Sequence, residues 1–233
     1  MRKPTVALAA LSAVALLIPA SSATAAAGDA AAGDAAAVEA GAVLTYGSAA
    51  GTDVPVGDTL TASLAEGTAV TFTSAPDSTS GVTCTTSSFT ATVTANPAAP
   101  GVAGESLDAQ SFSDCTANVF GILSVDGVTV DNLPYTVALD DTAGTAVVSG
   151  TPIQTTVVLS TLLGQITCQY QADSITATVA AGNESGTSGI GFANQAFAKT
   201  SGPGLCFANG YFSAQYAPVV DSSQPDSPAV FVN

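Results

Sequence analysis

The amino-acid sequence predicts an all-β protein behind an N-terminal leader. From Val43 onward, short runs rich in Val, Thr, Ile, Phe and Ala alternate with the turn-favouring residues Gly, Pro, Asp, Asn and Ser. In residues 89–93 and 175–179, apolar residues alternate with threonine at a period of two, which gives each run one apolar sheet face. No segment after residue 42 shows the 3.6-residue apolar stripe of a helix. We expect a disulfide-stapled antiparallel β-sandwich built from two repeated halves, with a closed β-barrel as the alternative.

The strand candidates are bounded by turn residues along the whole body. The clearest are residues 69–74, 89–95, 127–130, 135–139, 145–149, 154–159, 175–180 and 211–217. Between residues 205–208 and 211–217, Asn209-Gly210 is a dipeptide typical of a two-residue hairpin turn. We therefore expect a tight hairpin at this point.

A duplicated pattern organises the body. Thr83-Cys84 is followed by the alternating run 89–93, and Thr167-Cys168 is followed by the alternating run 175–179. Each copy has a second cysteine that begins a Cys-x-Ala-Asn motif, at Cys115 and at Cys206. Each copy also has a Gln-x-Phe sequence between its cysteines. The pattern predicts one repeat over about residues 43–140 and a second over about 141–233.

Four cysteines in an exported chain favour two disulfide bonds. Of the three possible pairings, the duplication favours closing one loop within each copy, Cys84 with Cys115 and Cys168 with Cys206. In the chain-entropy model each loop contributes about 3–4 kcal/mol of stability. A redox or metal site is disfavoured, because the chain has no Cys-x-x-Cys and no histidine.

Composition excludes several classes of function. The formal net charge is −15, with three Lys and Arg residues, no His and no Trp. Binding a nucleic-acid backbone requires clustered basic side chains, which this chain lacks, so nucleic acid is not an expected partner. Triads of the Ser-His-Asp or Cys-His type need histidine. The acidic excess is expected to favour solubility.

The N-terminus predicts export. Residues 1–25 combine a basic start at Arg2 and Lys3, an apolar run over residues 6–18, and a small-residue cleavage site that ends at Ala25. The apolar run is too short to span a bilayer, so no membrane span is expected in the mature protein. Residues 26–42 are Ala- and Gly-rich and are expected to be a flexible spacer. The predicted location is extracellular, with the leader cleaved near Ala25.

The acidic and basic residues of the body show no local signature of a catalytic or metal site. Carboxylates such as Glu66, Glu105 and Glu184 lie beside Gly or Ser, where acidic residues of an all-β chain commonly fall. The aspartate groupings 126/131 and 140/141 lack the ordered spacing of a calcium loop. Lys199 is expected to be a solvated side chain. We assign no catalytic residue, no metal and no cofactor.

Aromatic residues become more frequent towards the C-terminus. If an apolar ligand binds, its site is expected to include some of Phe192, Phe197, Tyr211 and Phe212. Tyr211 and Phe212 are adjacent, so on a strand their side chains point to opposite faces. The favoured interpretation of these aromatic residues is core packing.

The leader, the Ala-Gly-Asp spacer and the Cys84, Cys115, Cys168 and Cys206 body together resemble secreted proteins without an assigned function from high-G+C Gram-positive bacteria. The chain is also loosely similar to the neocarzinostatin-type apoproteins, which are small acidic sandwiches with two disulfides that carry an apolar chromophore. This chain is much longer and its cysteine loops are wider, so no binding residue is transferred from that resemblance.

Three functions are compatible with these observations. The first is a non-enzymatic structural or interaction protein at the cell exterior, with a cell-wall or extracellular protein partner. The second is a carrier of an apolar small molecule. The third is a carboxylate-based glycosidase or carbohydrate-binding module, for which two acidic groups would have to face each other across a groove.

Overall fold

The computed structural model describes residues 41–180 and 188–233, so the predicted leader and nearly all of the spacer lie outside the described residues. The described residues form fourteen β-strands and no helix, which confirms the all-β prediction. The strands are β1 Leu44–Tyr46, β2 Thr52–Asp53, β3 Thr59–Ser63, β4 Val70–Thr73, β5 Gly81–Ala95, β6 Val102–Asn118, β7 Ile122–Asp131, β8 Tyr135–Asp140, β9 Thr145–Thr161, β10 Gly164–Ala180, β11 Gly189–Ser201, β12 Asn209–Tyr216, β13 Val220–Asp221 and β14 Val230–Val232.

Eight antiparallel strands close into a barrel in the order β5-β4-β12-β11-β10-β9-β8-β6, and β6 pairs with β5 to complete the ring. The closed barrel, which was the alternative arrangement, is therefore the one that forms. Several strands are long enough to have two partners on the same side: β5 pairs with β4 through residues 81–84 and with β3 through residues 88–92. Closure leaves no free edge in the ring itself.

The remaining strands extend this ring. β7 pairs with the second half of β9, and β13 pairs with β3. Strands β14, β1 and β2 form a separate three-stranded sheet. Because β4 from the first predicted repeat pairs with β12 from the second, and β8 pairs with β9, the two sequence copies contribute to one ring.

The alternating runs place their apolar residues in the core as predicted. Phe89, Ala91 and Val93 on β5 are buried, whereas Thr90 and Thr92 are half-buried on the other face. On β10, Ile175 and Ala177 are buried, and the threonines beside them are exposed. The threonine hydroxyls can therefore meet water while their branched side chains fit the pleat.

Both disulfide bonds have the predicted pairing. Cys84 on β5 lies directly opposite Cys115 on β6, with 4.0 Å between their Cα atoms. Cys168 on β10 is joined to Cys206, which lies between β11 and β12, and their Cα atoms are 5.7 Å apart. The shared Cys-x-Ala-Asn motif thus has a strand conformation in one copy, whereas in the other it is a loop that ends at the first residue of β12. Two disulfides are consistent with an extracellular location.

The hairpin predicted at Asn209-Gly210 is wrong. Both residues belong to β12 and pair with Ala198 and Phe197 of β11, and the connection between the two strands is residues 202–208. The reason for glycine here is a close side-chain approach: a Cβ added at Gly210 would lie 1.9 Å from the ring of Phe72. This glycine therefore makes room for an aromatic ring and does not form a turn.

We expect Gly210→Ala to lower the free energy of unfolding by about 1–3 kcal/mol, because the Phe72 ring packs between Tyr170 and Phe197 and has little room to move. The matched control is Gly127→Ala on β7, where no atom lies within 4 Å of the added Cβ. Chemical denaturation of the two variants and the unmodified protein measures the difference. Equal stability of the two variants would contradict the packing explanation.

Candidate functional site

The barrel encloses an apolar cavity with a volume of about 70 Å³. Its wall includes Phe112, Phe192, Phe197 and Phe212, together with valines from β4, β5, β7 and β9. The rings pack edge-on or tilted, with centroids 5.5 Å apart for Phe192–Phe212 and 6.4 Å apart for Phe197–Phe212. Such a wall can hold an apolar molecule by contact area.

Three of the four proposed ligand-contacting residues meet at this cavity. Phe192 and Phe197 on β11 and Phe212 on β12 all line it, and Tyr211 does not. Tyr211 lies on the opposite face of β12 from Phe212, as expected for adjacent strand residues. These phenylalanines also pack in the hydrophobic core. The prediction of ligand contact and the prediction of core packing therefore concern the same three side chains.

A polar network interrupts the apolar wall at one place. The hydroxyls of Ser87 and Tyr216 lie 2.8 Å apart, and the Gln110 amide donates to both, at 2.9 and 3.0 Å. Gln110 and Tyr216 line the 70 Å³ cavity. Burial raises the pKa of the Tyr216 hydroxyl, and the hydrogen bonds from Ser87 and Gln110 oppose this effect. The network offers a few fixed polar groups at the cavity wall.

Glu105 is a buried carboxyl group inside the same barrel. It is 4 % exposed and lines two smaller cavities of about 20 and 40 Å³. Burial raises its pKa to about 7, because an apolar surrounding disfavours the charged form. Its neighbours Gly104 and Ser106 are typical of a loop, so the burial of Glu105 within β6 had no local signal in the sequence.

A second unpredicted feature is a group of exposed large apolar side chains at one end of the barrel, which we call the apolar tip. Leu163 is 100 % exposed and Phe120 is 99 % exposed, at the turns β9–β10 and β6–β7. The full set is Phe120, Leu123, Leu162, Leu163 and Leu205.

Strand pairing brings the three parts of the apolar tip together. Ile122 pairs with Thr161, so the β6–β7 turn lies beside the β9–β10 turn. The β11–β12 connection reaches them as well, because Leu205 Cδ2 lies 4.0 Å from a Cβ built at Gly121. Exposed apolar groups of this kind mark interaction sites on folded proteins.

The other acidic and basic residues considered in the sequence have ordinary surroundings. The Asp126 carboxylate accepts hydrogen bonds from Ser124, Ser160 and Gln165, and these bonds lower its pKa. The Asp131 carboxylate accepts from Gln154 and Thr156. Of the carboxylates weighed for catalysis, Glu66 is exposed and Glu184 lies outside the described residues.

Lys199 was expected to be a solvated side chain beside the 200–204 loop, and it is half-buried against this loop. The Nζ group donates to the backbone oxygens of Pro203 and Cys206, at 3.4 and 3.2 Å. In residues 41–180 and 188–233, no three His, Cys, Asp or Glu side chains converge as a metal site. In the same residues, no helix has the length and apolar character needed to cross a membrane.

A buried acid contact lies at the edge formed by β3 and β13. Asp221 is 0 % exposed, and its Oδ1 accepts from the Ser223 backbone at 3.0 Å, while its Oδ2 has no hydrogen-bond partner among the described residues. Burial raises the pKa of Asp221, and the neighbouring Asp58 adds to the effect. Asp221 is buried and Asp58 is half-buried, and neither residue lines the barrel cavities.

Comparisons with known proteins add no family. No protein-family model matches the chain, no curated protein matches it, and no solved structure matches it. The cavity, Glu105 and the apolar tip are the features of the described residues that point to a function.

We expect Glu105→Gln to change how stability varies with pH. The folded state holds the Glu105 proton up to about pH 7, whereas the unfolded state releases it near pH 4.5. The contribution of this group is therefore full below pH 4.5 and is lost as pH rises to 7, by at most about 3 kcal/mol. Urea denaturation between pH 4 and 8 should show this loss in the unmodified protein and not in Glu105→Gln.

The control for this measurement is Glu66→Gln, which makes the same change at an exposed site. Its stability curve should run parallel to that of the unmodified protein. If Glu105→Gln also ran parallel, the carboxyl would not be held neutral in the folded state.

Proposed function

We propose that this is a secreted, non-enzymatic interaction protein that docks through its apolar tip onto another extracellular protein. The leader at residues 1–25 would deliver it to the cell exterior, with cleavage near Ala25. The observation that carries the proposal is the exposure of the tip: four of its five side chains are more than 60 % exposed. Leaving such surface in water is unfavourable, and covering it in a complex is favourable by about 1.5–3 kcal/mol per large side chain.

The tip is suited to binding because its turns are preformed. Leu162 and Leu163 are held by a two-residue connection, in which Thr161 Oγ1 donates to the Gly164 oxygen and accepts from the Leu163 backbone, at 2.7 and 3.1 Å. Little conformational entropy is lost when such side chains are covered, so more of the burial energy remains for affinity.

Charge selects the kind of partner. The segments 119–123, 161–164 and 202–208 contain no charged residue, whereas the chain as a whole has a formal net charge of −15. A second copy or an anionic bilayer would be repelled by that charge. Exposed acids on the strands that lead to the tip, Asp114 and Asp126, suit basic groups on a partner. The expected partner is a protein with an apolar groove and a basic rim.

We expect the double variant Phe120→Ser, Leu163→Ser to lose saturable binding to washed cells of the producing organism, with at least a tenfold loss of affinity from the uncovered apolar area. Its melting temperature should stay within a few degrees of the unmodified protein, since both side chains are almost fully exposed. Fluorescently labelled protein, competed with unlabelled protein, measures the binding.

The matched control is Val56→Ser, Val102→Ser, which removes exposed apolar side chains of 61 % and 50 % exposure outside the tip. This variant should bind normally. Treating the cells with protease should abolish binding. Undiminished binding by the tip variant would overturn the proposal, and protease-resistant binding would rule out a protein partner.

The second candidate function is a carrier of an apolar small molecule, and the specific observation in its favour is the 70 Å³ cavity lined by Phe192, Phe197 and Phe212. An apolar cavity of this kind stays dry and can accept a compact apolar molecule. The small volume restricts the ligand to a short chain or a single small ring.

We expect 1-butanol to bind in this cavity and to shift the NMR signals of its lining methyl groups, such as those of Val128 and Val157. Val148→Phe should abolish these shifts, because Val148 lines the cavity and a ring would fill it. The control Val102→Phe adds the same ring at an exposed strand position and should leave the shifts intact. Shifts that persist in Val148→Phe, or none in either protein, would contradict a carrier.

A further inference from the structure

The position of Glu105 is the least expected feature of the barrel interior. On β6 it lies between Val93 of β5 and Val137 of β8, and its side chain points inward. None of the hydrogen bonds between described residues involves its carboxyl group, and none of the other residues that line its two cavities is titratable. They are apolar apart from Gln110 and Ser188.

The chain itself offers no cation to this acid. Beyond Arg2 and Lys3 its only basic residue is Lys199, whose ammonium is bound to carbonyls of the 202–208 loop. A buried carboxyl without a partner is costly, and proteins retain such groups mainly where they serve a function. A cation that pairs with the ionised Glu105 carboxylate would therefore come from a ligand.

The spaces next to Glu105 adjoin the aromatic cavity through shared lining residues. The 40 Å³ cavity shares Leu107, Gln110, Val148 and Phe192 with the 70 Å³ cavity. The 20 Å³ cavity shares Glu105, Phe89 and Ile190 with the 40 Å³ cavity. The interior is thus a row of small apolar spaces with a single acid towards one end.

We infer that the barrel interior binds a compact apolar amine, with its ammonium group on the Glu105 carboxylate and its hydrocarbon part among Phe192, Phe197 and Phe212. This inference rests on the carrier function and names the ligand class for it. The amine supplies the missing cation, and the aromatic wall covers its apolar part. When an ammonium form binds below pH 7, Glu105 releases its proton to solvent, and an N–H···O hydrogen bond forms between ligand and carboxylate.

The test compares butylamine with 1-butanol, which has nearly the same shape but no charge. At pH 8 the unmodified protein should bind butylamine about tenfold more tightly, as expected for one charge-assisted hydrogen bond. Glu105→Gln should bind 1-butanol as before and lose the preference. At pH 5, where Glu105 is protonated, the preference should also disappear in the unmodified protein. NMR titration of the lining methyl groups gives both affinities.

The outcomes separate this inference from the carrier function. If 1-butanol binds and butylamine is not preferred, or if Glu105→Gln keeps the preference, the amine inference is overturned and the carrier function stands. If neither compound binds, both fail. Retained binding of 1-butanol by Glu105→Gln shows that the variant is folded.

Discussion

The structure depends on the closure of the ring at β4, a strand of only four residues that lies between β5 and β12. Each neighbouring strand has a glycine that lies against it, Gly81 on β5 and Gly210 on β12. A Cβ at Gly81 would lie 2.3 Å from the Phe72 oxygen, and a Cβ at Gly210 would lie 1.9 Å from the Phe72 ring. The short strand can therefore approach both neighbours closely while its phenylalanine fills the barrel. Closure in turn creates an interior, and every polar group placed there must find its partners inside.

One group of polar side chains in the barrel interior has hydrogen-bond partners, whereas a buried acid there has none among the described residues. The Ser87, Gln110 and Tyr216 groups bond to one another, so their burial is compensated. Glu105 precedes Gln110 by five residues on β6 and lines the same 40 Å³ cavity, yet it has no such partner among the described residues. The barrel interior therefore contains hydrogen-bonded polar groups and also an acid without a hydrogen-bond partner among the described residues. This contrast supports the inference that Glu105 serves as a binding group.

The sequence predicted the fold class, the strand faces and the disulfide pairing, because period-two alternation and cysteine duplication are local signals. It did not predict the features that depend on pairing between strands that are far apart in the chain. Residues 145–149 and 154–159 were expected to be two strands, yet they form one strand, β9, with Gly150 and Pro152 in an irregularity opposite Asp173. Asn209-Gly210 was assigned to a turn because the ring of Phe72, more than a hundred residues away, leaves no trace in the local sequence. The burial of Glu105 and the meeting of three turns at the tip are likewise consequences of register.

The two disulfides connect the fold to the apolar tip. Cys206 follows Leu205 directly, and its bond to Cys168 holds the 202–208 loop against β10, where Lys199 also donates to the loop carbonyls. The Cys84–Cys115 bond fixes the end of β6, a few residues before Phe120. If the two disulfide bonds only stabilised the core, they would not both need to lie near the end of the barrel that carries the apolar tip. Each bond limits the movement of a segment that presents an exposed apolar side chain, so the folded tip has less conformational freedom. The docking proposed for the tip would then lose less conformational entropy.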